Sequence, residues 1–212
     1  MDFLLKYMAF PVESRPVGDT FRFCRETGRV RLTLNCRETT MAENITDLHF
    51  SAIPRDRRFL EDYRKGDHHR FGDLLVTEDE IIKFASAFDP QYFHTSVGEA
   101  TESVFGGLIA SGWHTGSLAM RMLVDHFLPE RAGLGSPGLD ELRWLKPVRP
   151  GDRLSLAVTI LDNRRSRSKP DRGAVTAQVD VYNQQQERVM AFTAVIMMRA
   201  RQITDQPSPT TE

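Results

Sequence analysis

The segment from about Ser111 to Leu128 constrains this chain most. Trp113, Leu118, Met120, Met122, Leu123, Val124 and Phe127 fall on more than one face of a helix there, and Gly112, Gly116 and Ala119 are small. A helix that is apolar over most of its circumference has to be enclosed by other elements. Pro129 stops it. Everything after it reads as β. Leu139–Leu145 is one strand, Leu154, Leu156, Val158 and Ile160 alternate in the next, and Val175, Ala177, Val179 and Val181 alternate in a third. Val189–Met198 is apolar on both faces, as befits a strand inside a sheet. Pro147, Pro150-Gly151, Pro170-Asp171 and Asn183 mark the turns, with Gly151 expected in a left-handed turn position. One enclosed helix followed by antiparallel strands predicts an α+β fold, a curved sheet wrapped around a long central helix.

Upstream, Phe71–Val76 is a short strand, and Thr77 and Glu80 have the spacing of a capping box. Ile81, Phe84, Ala85 and Phe88 follow at helical spacing until Asp89-Pro90, because proline disfavours helical geometry in the residue before it. A loop then carries Gln91 to His94, and a short helical stretch over Glu99–Val104 leads to Gly106-Gly107. Residues 1–55 differ from the rest. Pro11, Pro16 and Pro54 punctuate them, and the alternating run Arg29–Leu34 has no strand nearby to pair with. They are expected to form a poorly ordered extension, with the folded domain at 56–202 and a disordered Pro-, Ser- and Thr-rich tail at 203–212.

With 28 basic and 29 acidic residues, the charges nearly cancel, so no net field favours nucleic acid or an anionic membrane. Met1–Phe10 is apolar but too short to span a bilayer, and it lacks the basic start and cleavage site of a signal peptide. Both cysteines, Cys24 and Cys36, lie in the N-terminal quarter. That excludes a disulfide framework or a cysteine metal site in the later chain and fits a reducing compartment, so the cytoplasm is the expectation. His49, His68, His69, His94, His114 and His126 are not spaced as a metal set, and no phosphate-cradling glycine loop, HExxH, CxxC or Gly-x-Ser-x-Gly elbow occurs.

Two runs carry chemistry. In Phe88-Asp89-Pro90-Gln91-Tyr92-Phe93-His94 a carboxylate stands five residues before an imidazole at the end of a helix. In Phe105-Gly106-Gly107-Leu108-Ile109-Ala110-Ser111-Gly112-Trp113-His114-Thr115 small residues open the next helix, where backbone N–H groups lack partners. Taken singly, Asp-Pro is a common turn, a loop histidine is usually solvated, and a helix-start glycine often serves packing alone. Together they supply an acid, a base and an oxyanion site, the parts needed to add water to a carbonyl-activated double bond or remove it. Tyr92 and Phe93 are expected to be buried, desolvating the two groups and forcing them to pair. His114, one turn into the helix, is expected to cap or hydrogen-bond locally. Arg164-Arg165-Ser166-Arg167-Ser168-Lys169 is either a solvated loop tip or a phosphate-binding loop.

These two runs, with the turn Arg149-Pro150-Gly151-Asp152, resemble the (R)-specific enoyl-CoA hydratases, or MaoC-like dehydratases, over about Phe59 to Arg201. The resemblance implies a single hot-dog domain, a homodimer, an acyl-CoA substrate, and no metal or organic cofactor. It implies that Asp89 and His94 hold and activate water, that the Gly112 amide receives the oxyanion, and that Gln91 and Ser111 contact substrate. Arg165 and Arg167 would take the coenzyme A phosphates. The family pattern is closer to Asp-x-Asn-Pro-x-His; here proline has moved by two positions and Gln91 stands where asparagine is usual, one methylene longer. Which of Asp89 and His94 is acid and which base stays open, because a coupled pair titrates as a unit. A hot-dog thioesterase, with water attacking C1 instead of C3, and a non-catalytic acyl-thioester binding module are the alternatives; the Asp-to-His spacing favours the hydratase.

Overall fold

The computed structural model describes Phe50 and residues 52–201. The rest of the expected extension and the tail lie outside the described residues. In chain order come β1 (His68–Leu75), α1 (Glu78–Phe88), α2 (Tyr92–Thr95), α3 (Val97–Thr101), α4 (Gly112–Met122), β2 (Leu139–Trp144), β3 (Arg153–Arg165), β4 (Arg172–Tyr182) and β5 (Arg188–Arg199). The strands form one antiparallel sheet in the order β1-β3-β4-β5-β2. β5 runs between β4 and β2, the interior place its apolar faces predict.

The sheet wraps α4 because the alternating strands put their apolar side chains on one face. Leu154, Leu156, Val158 and Ile160 of β3, Val175, Ala177, Val179 and Val181 of β4, and Phe192, Ala194 and Met198 of β5 join Ala119, Met122, Leu123 and Phe127 in one core. Each Val, Leu, Ile, Met or Phe side chain among them, taken fully out of water, contributes roughly 1.5–3 kcal/mol. Gly72 lets β1 bend over the helix. Its φ of +86° falls where the β1–β3 register shifts, between Phe71 and Leu74, and a Cβ there would lie 3.2 Å from Cγ of Met122. Gly151, at φ +88°, takes the left-handed turn position expected of it.

Three sequence expectations are corrected. The helix reaches its expected length only by changing pitch. After Met122 it widens into a π-type turn, Leu123–Phe127, closed by the Leu128 N–H on the Leu123 carbonyl at 2.8 Å. It is also not enclosed all round. Trp113, Met120 and Val124 are exposed, although Trp113 meets the Trp144 ring edge-on. Last, the packed body starts earlier than residue 56. The Phe50 ring lies in the core against Tyr63, His69 and Phe127. The buried Arg58 guanidinium stacks 4.1 Å from that ring and donates to the carbonyls of Ile53 at 2.9 Å and Phe127 at 3.2 Å. The Tyr63 hydroxyl donates to the same Phe127 carbonyl at 2.8 Å. These donors satisfy acceptors that the helix end leaves open.

The capping box forms as its spacing predicts. The Thr77 Oγ1 accepts from the Glu80 N–H at 3.3 Å, and the Glu80 carboxylate accepts from the Thr77 N–H at 3.2 Å. It starts α1, whose far end delivers Asp89. Replacing Thr77 by alanine is expected to lower the unfolding free energy by about 1 kcal/mol with an unchanged denaturant slope. Urea titration of Thr77→Ala checks this, and an unchanged midpoint would contradict it.

Candidate active site

Asp89 is the residue after α1, where φ −152° and ψ 67° turn the chain away from the helix. Pro90 follows, and Gln91 serves as N-cap of α2, a four-residue helix in place of the expected loop. That single turn carries His94 back toward Asp89. The His94 Nε2 lies 3.5 Å from the Asp89 Oδ2. On the other side of the ring, Nδ1 is 2.8 Å from the carbonyl oxygen of Ile109. A carbonyl only accepts, so Nδ1 carries the proton, and in the neutral ring the Nε2 lone pair faces Asp89. Phe93 packs edge-on against the imidazole at 4.5 Å, and its own carbonyl accepts from the Ile109 N–H at 3.1 Å.

Ser111 joins the two halves of the site. Its side chain is the N-cap of α4, accepting from the Trp113 N–H at 3.3 Å, while its hydroxyl donates to the Asp89 Oδ2 at 2.7 Å. The Gln91 Nε2 donates to the other carboxylate oxygen at 2.8 Å. These two bonds, that from Gln91 first and that from Ser111 second, hold the Asp89 carboxyl below the usual carboxylate range. Asp89 is therefore an ionised group held in place at both oxygens. Burial of the pair by aromatic neighbours, the expected cause of their pairing, is only half realised. His94 is buried and Phe93 half-buried, but Tyr92 is exposed, and hydrogen bonds dominate at Asp89.

The segment before α4 is braced from the sheet side. The Ala110 N–H donates to the Val148 carbonyl at 2.8 Å, and the Arg149 guanidinium donates to the Phe105 carbonyl at 2.6 Å. The Arg149–Asp152 turn thus holds the glycine loop as well as leading the chain from β2 into β3. Gly112 opens α4, and its N–H has no acceptor among the described residues, one of the unpaired donors of a helix start. His114 departs from expectation. It is buried and stacked on Phe84 at 4.8 Å, its Nδ1 has no hydrogen-bond partner among the described residues, and burial pushes its pKa down.

Asp89, Gln91, His94, Ser111 and Gly112 therefore come together at the junction of α1, α2 and α4. Arg165 and Arg167 do not. Arg165 lies within β3 rather than in a loop, and its guanidinium is taken by the Glu61 carboxylate and the Pro170 carbonyl. A paired guanidinium has to give up that partner before it can take a phosphate. Arg167 stands exposed in the β3–β4 turn, and neither residue contacts Asp89, His94 or Ser111. Among the described residues no three His, Cys, Asp or Glu side chains gather as a metal set, and no helix is long and apolar enough to cross a membrane.

A curved five-stranded antiparallel sheet around one helix is the hot-dog fold. The chain belongs to the MaoC-like domain family, which matches residues 64–183. It is 42% identical in sequence to the MaoC-like dehydratase of Rhodospirillum rubrum, whose crystal structure superposes with a TM-score of 0.64 over 69% of this chain and 99% of that one. It is 29% identical over 140 residues to the uncharacterized protein YdeM of Bacillus subtilis, covering 66% of this chain and 98% of that protein. It is 38% identical over 155 residues to mesaconyl-CoA hydratase of Cereibacter sphaeroides, covering 72% of this chain and 44% of that enzyme. The chain thus spans less than half of that hydratase.

The two donors on Asp89 give a prediction with a definite sign. Both favour the charged form, so removing either one raises the carboxyl pKa toward its ordinary value. Carbon NMR titration of the Asp89 carboxyl in Gln91→Leu and in Ser111→Ala is expected to show an upward move in each. A pKa that stays put or falls would contradict the assigned hydrogen bonds.

Proposed function

We propose that the protein catalyses reversible hydration of a 2-enoyl-CoA to a 3-hydroxyacyl-CoA. The observation that carries this reading is the 3.5 Å separation of the His94 Nε2 and the Asp89 Oδ2 beside the unpaired Gly112 N–H. That separation is long for a direct hydrogen bond and lets one water bond both atoms. Nε2 takes a proton from that water as its oxygen bonds to C3. The C2=C3 π pair moves through C2 and C1 onto the thioester oxygen, where the Gly112 N–H receives the charge. A donor of this kind typically lowers the barrier by about 3–4 kcal/mol. The enolate then collapses and C2 takes up the proton from the pair, so one O–H bond and the C2=C3 π bond have been exchanged for one C–O and one C–H bond. Asp89, already ionised, orients the water and stabilises the imidazolium. The reaction as written calls for no metal or organic cofactor. Family membership and the likeness to a mesaconyl-CoA hydratase support a hydro-lyase.

Incubation with crotonyl-CoA separates the readings. Loss of enoyl absorbance without free thiol is the expected result. Release of thiol would mean the thioesterase, and neither signal would leave the binding module. Asp89→Asn and His94→Ala are each expected to cut turnover by about a hundredfold or more, with a melting temperature close to wild type. Near-wild-type turnover in either would remove that residue from the mechanism.

We also propose a two-fold homodimer. β2 ends the sheet order with one edge unpaired, and the exposed Trp113, Met120 and Val124 lie on the open side of the helix. Two-fold dimers are the commonest symmetric assembly. Sedimentation is expected to show a dimer; a stable, active monomer would contradict it.

A further inference from the structure

We propose that the Trp144 indole is the wall of the thioester subsite and sets the size limit for a substituent at C2 of the acyl group. This rests on the reading of Gly112 as the amide that receives the thioester oxygen.

Trp144 is the last residue of β2, and its ring lies against the first residue of α4. A Cβ built on Gly112 would fall 2.5 Å from the Trp144 Nε1 and 2.8 Å from Cδ2, so the indole rests on bare backbone. The glycine is required there by the ring, whatever it also allows a ligand to do. Trp113 meets the same indole edge-on, centroids 5.4 Å apart and planes at 78°, and fixes its tilt. Trp144 is nonetheless 48% exposed, although its indole lies against the backbone at Gly112. One residue back, Ser111 holds Asp89 at 2.7 Å.

These placements fix what a bound thioester meets. With its carbonyl oxygen on the Gly112 N–H, C1 lies within about 4 Å of that nitrogen. The acyl chain leaves C1 toward the Asp89–His94 pair, and a group branching from C2 has the indole as its neighbour. The flat face suits a planar conjugated enoyl thioester. Because the ring is seated on backbone and wedged by Trp113, it does not retreat to admit bulk. Trp144 moves no proton; it is a positioning and specificity residue.

Trp113 and Trp144 are the only two tryptophans in the chain, so Trp113→Phe leaves Trp144 as the sole indole emitter. Titration of that variant with butyryl-CoA, a saturated thioester that cannot be hydrated, is expected to give a saturable shift in emission that free coenzyme A does not give. In Trp144→Ala, kcat/KM for 2-methylcrotonyl-CoA relative to crotonyl-CoA is expected to rise about tenfold, with Trp144→Phe in between. An unchanged ratio in both variants while the wild type hydrates crotonyl-CoA would overturn the wall and leave the hydratase reading standing. If the wild type hydrates neither substrate, the emission decides. A shift keeps Trp144 as the wall of a thioester-binding site, and no shift overturns it.

Discussion

The hydroxyl of Ser111 holds the candidate site together, because one oxygen serves two helices at once. It accepts from the backbone at the start of α4 and donates to the carboxylate at the end of α1. A serine N-cap is ordinarily a local device, stabilising its own helix by about 1 kcal/mol. Here its hydrogen reaches a residue 22 positions earlier in the chain. The start of the central helix and the Asp89 carboxylate are thereby held in register. Gly112 then follows as the first residue of α4, next in sequence to the serine that holds the carboxylate.

The remaining structure keeps that junction still. The sheet packs against the buried side of α4, and Arg58 and Tyr63 tie down the Phe127 carbonyl at the far end of the helix. On the near side, the Val148 carbonyl and the Arg149 guanidinium hold the glycine loop that leads into Ser111. Because the Ile109 carbonyl belongs to that braced segment, the tautomer of His94 is set by the backbone rather than by Asp89. The two members of the pair therefore have separate anchors, the carboxylate through side chains and the imidazole through main chain.

How much of this was legible in sequence depended on the range of the interaction. The capping box, the Asp89-Pro90 helix end, the alternation of β3 and β4 and the two-sided apolar run of β5 are local patterns, and each element forms where its pattern lies. The proximity of Asp89, His94 and the start of α4 was legible only as a resemblance, since no periodicity links residues on separate helices. The Ile109 carbonyl leaves no trace in sequence, because every residue has one. In sequence Trp144 is only the end of a strand, and its packing on Gly112 crosses from a sheet edge to a helix. Tyr92 was expected inside on hydrophobicity alone, a rule that fails often because much protein surface is apolar. Arg165 looks like a loop residue in sequence because the strand extends past the last clear alternation at Ile160, and its partner Glu61 is remote in sequence. The enclosed helix was over-read for a related reason: an apolar face unmatched within one chain looks the same in sequence as one that is matched.

The central claim is that the Asp89–His94 pair delivers water to C3 and a proton to C2 across an enolate held at Gly112. Proton NMR of crotonyl-CoA incubated with the protein in deuterium oxide tests it directly. The account predicts 3-hydroxybutyryl-CoA carrying a single deuterium at C2, with the thioester intact, and no such product from His94→Ala. Free coenzyme A with crotonate, or an unaltered substrate at high protein concentration, would contradict it.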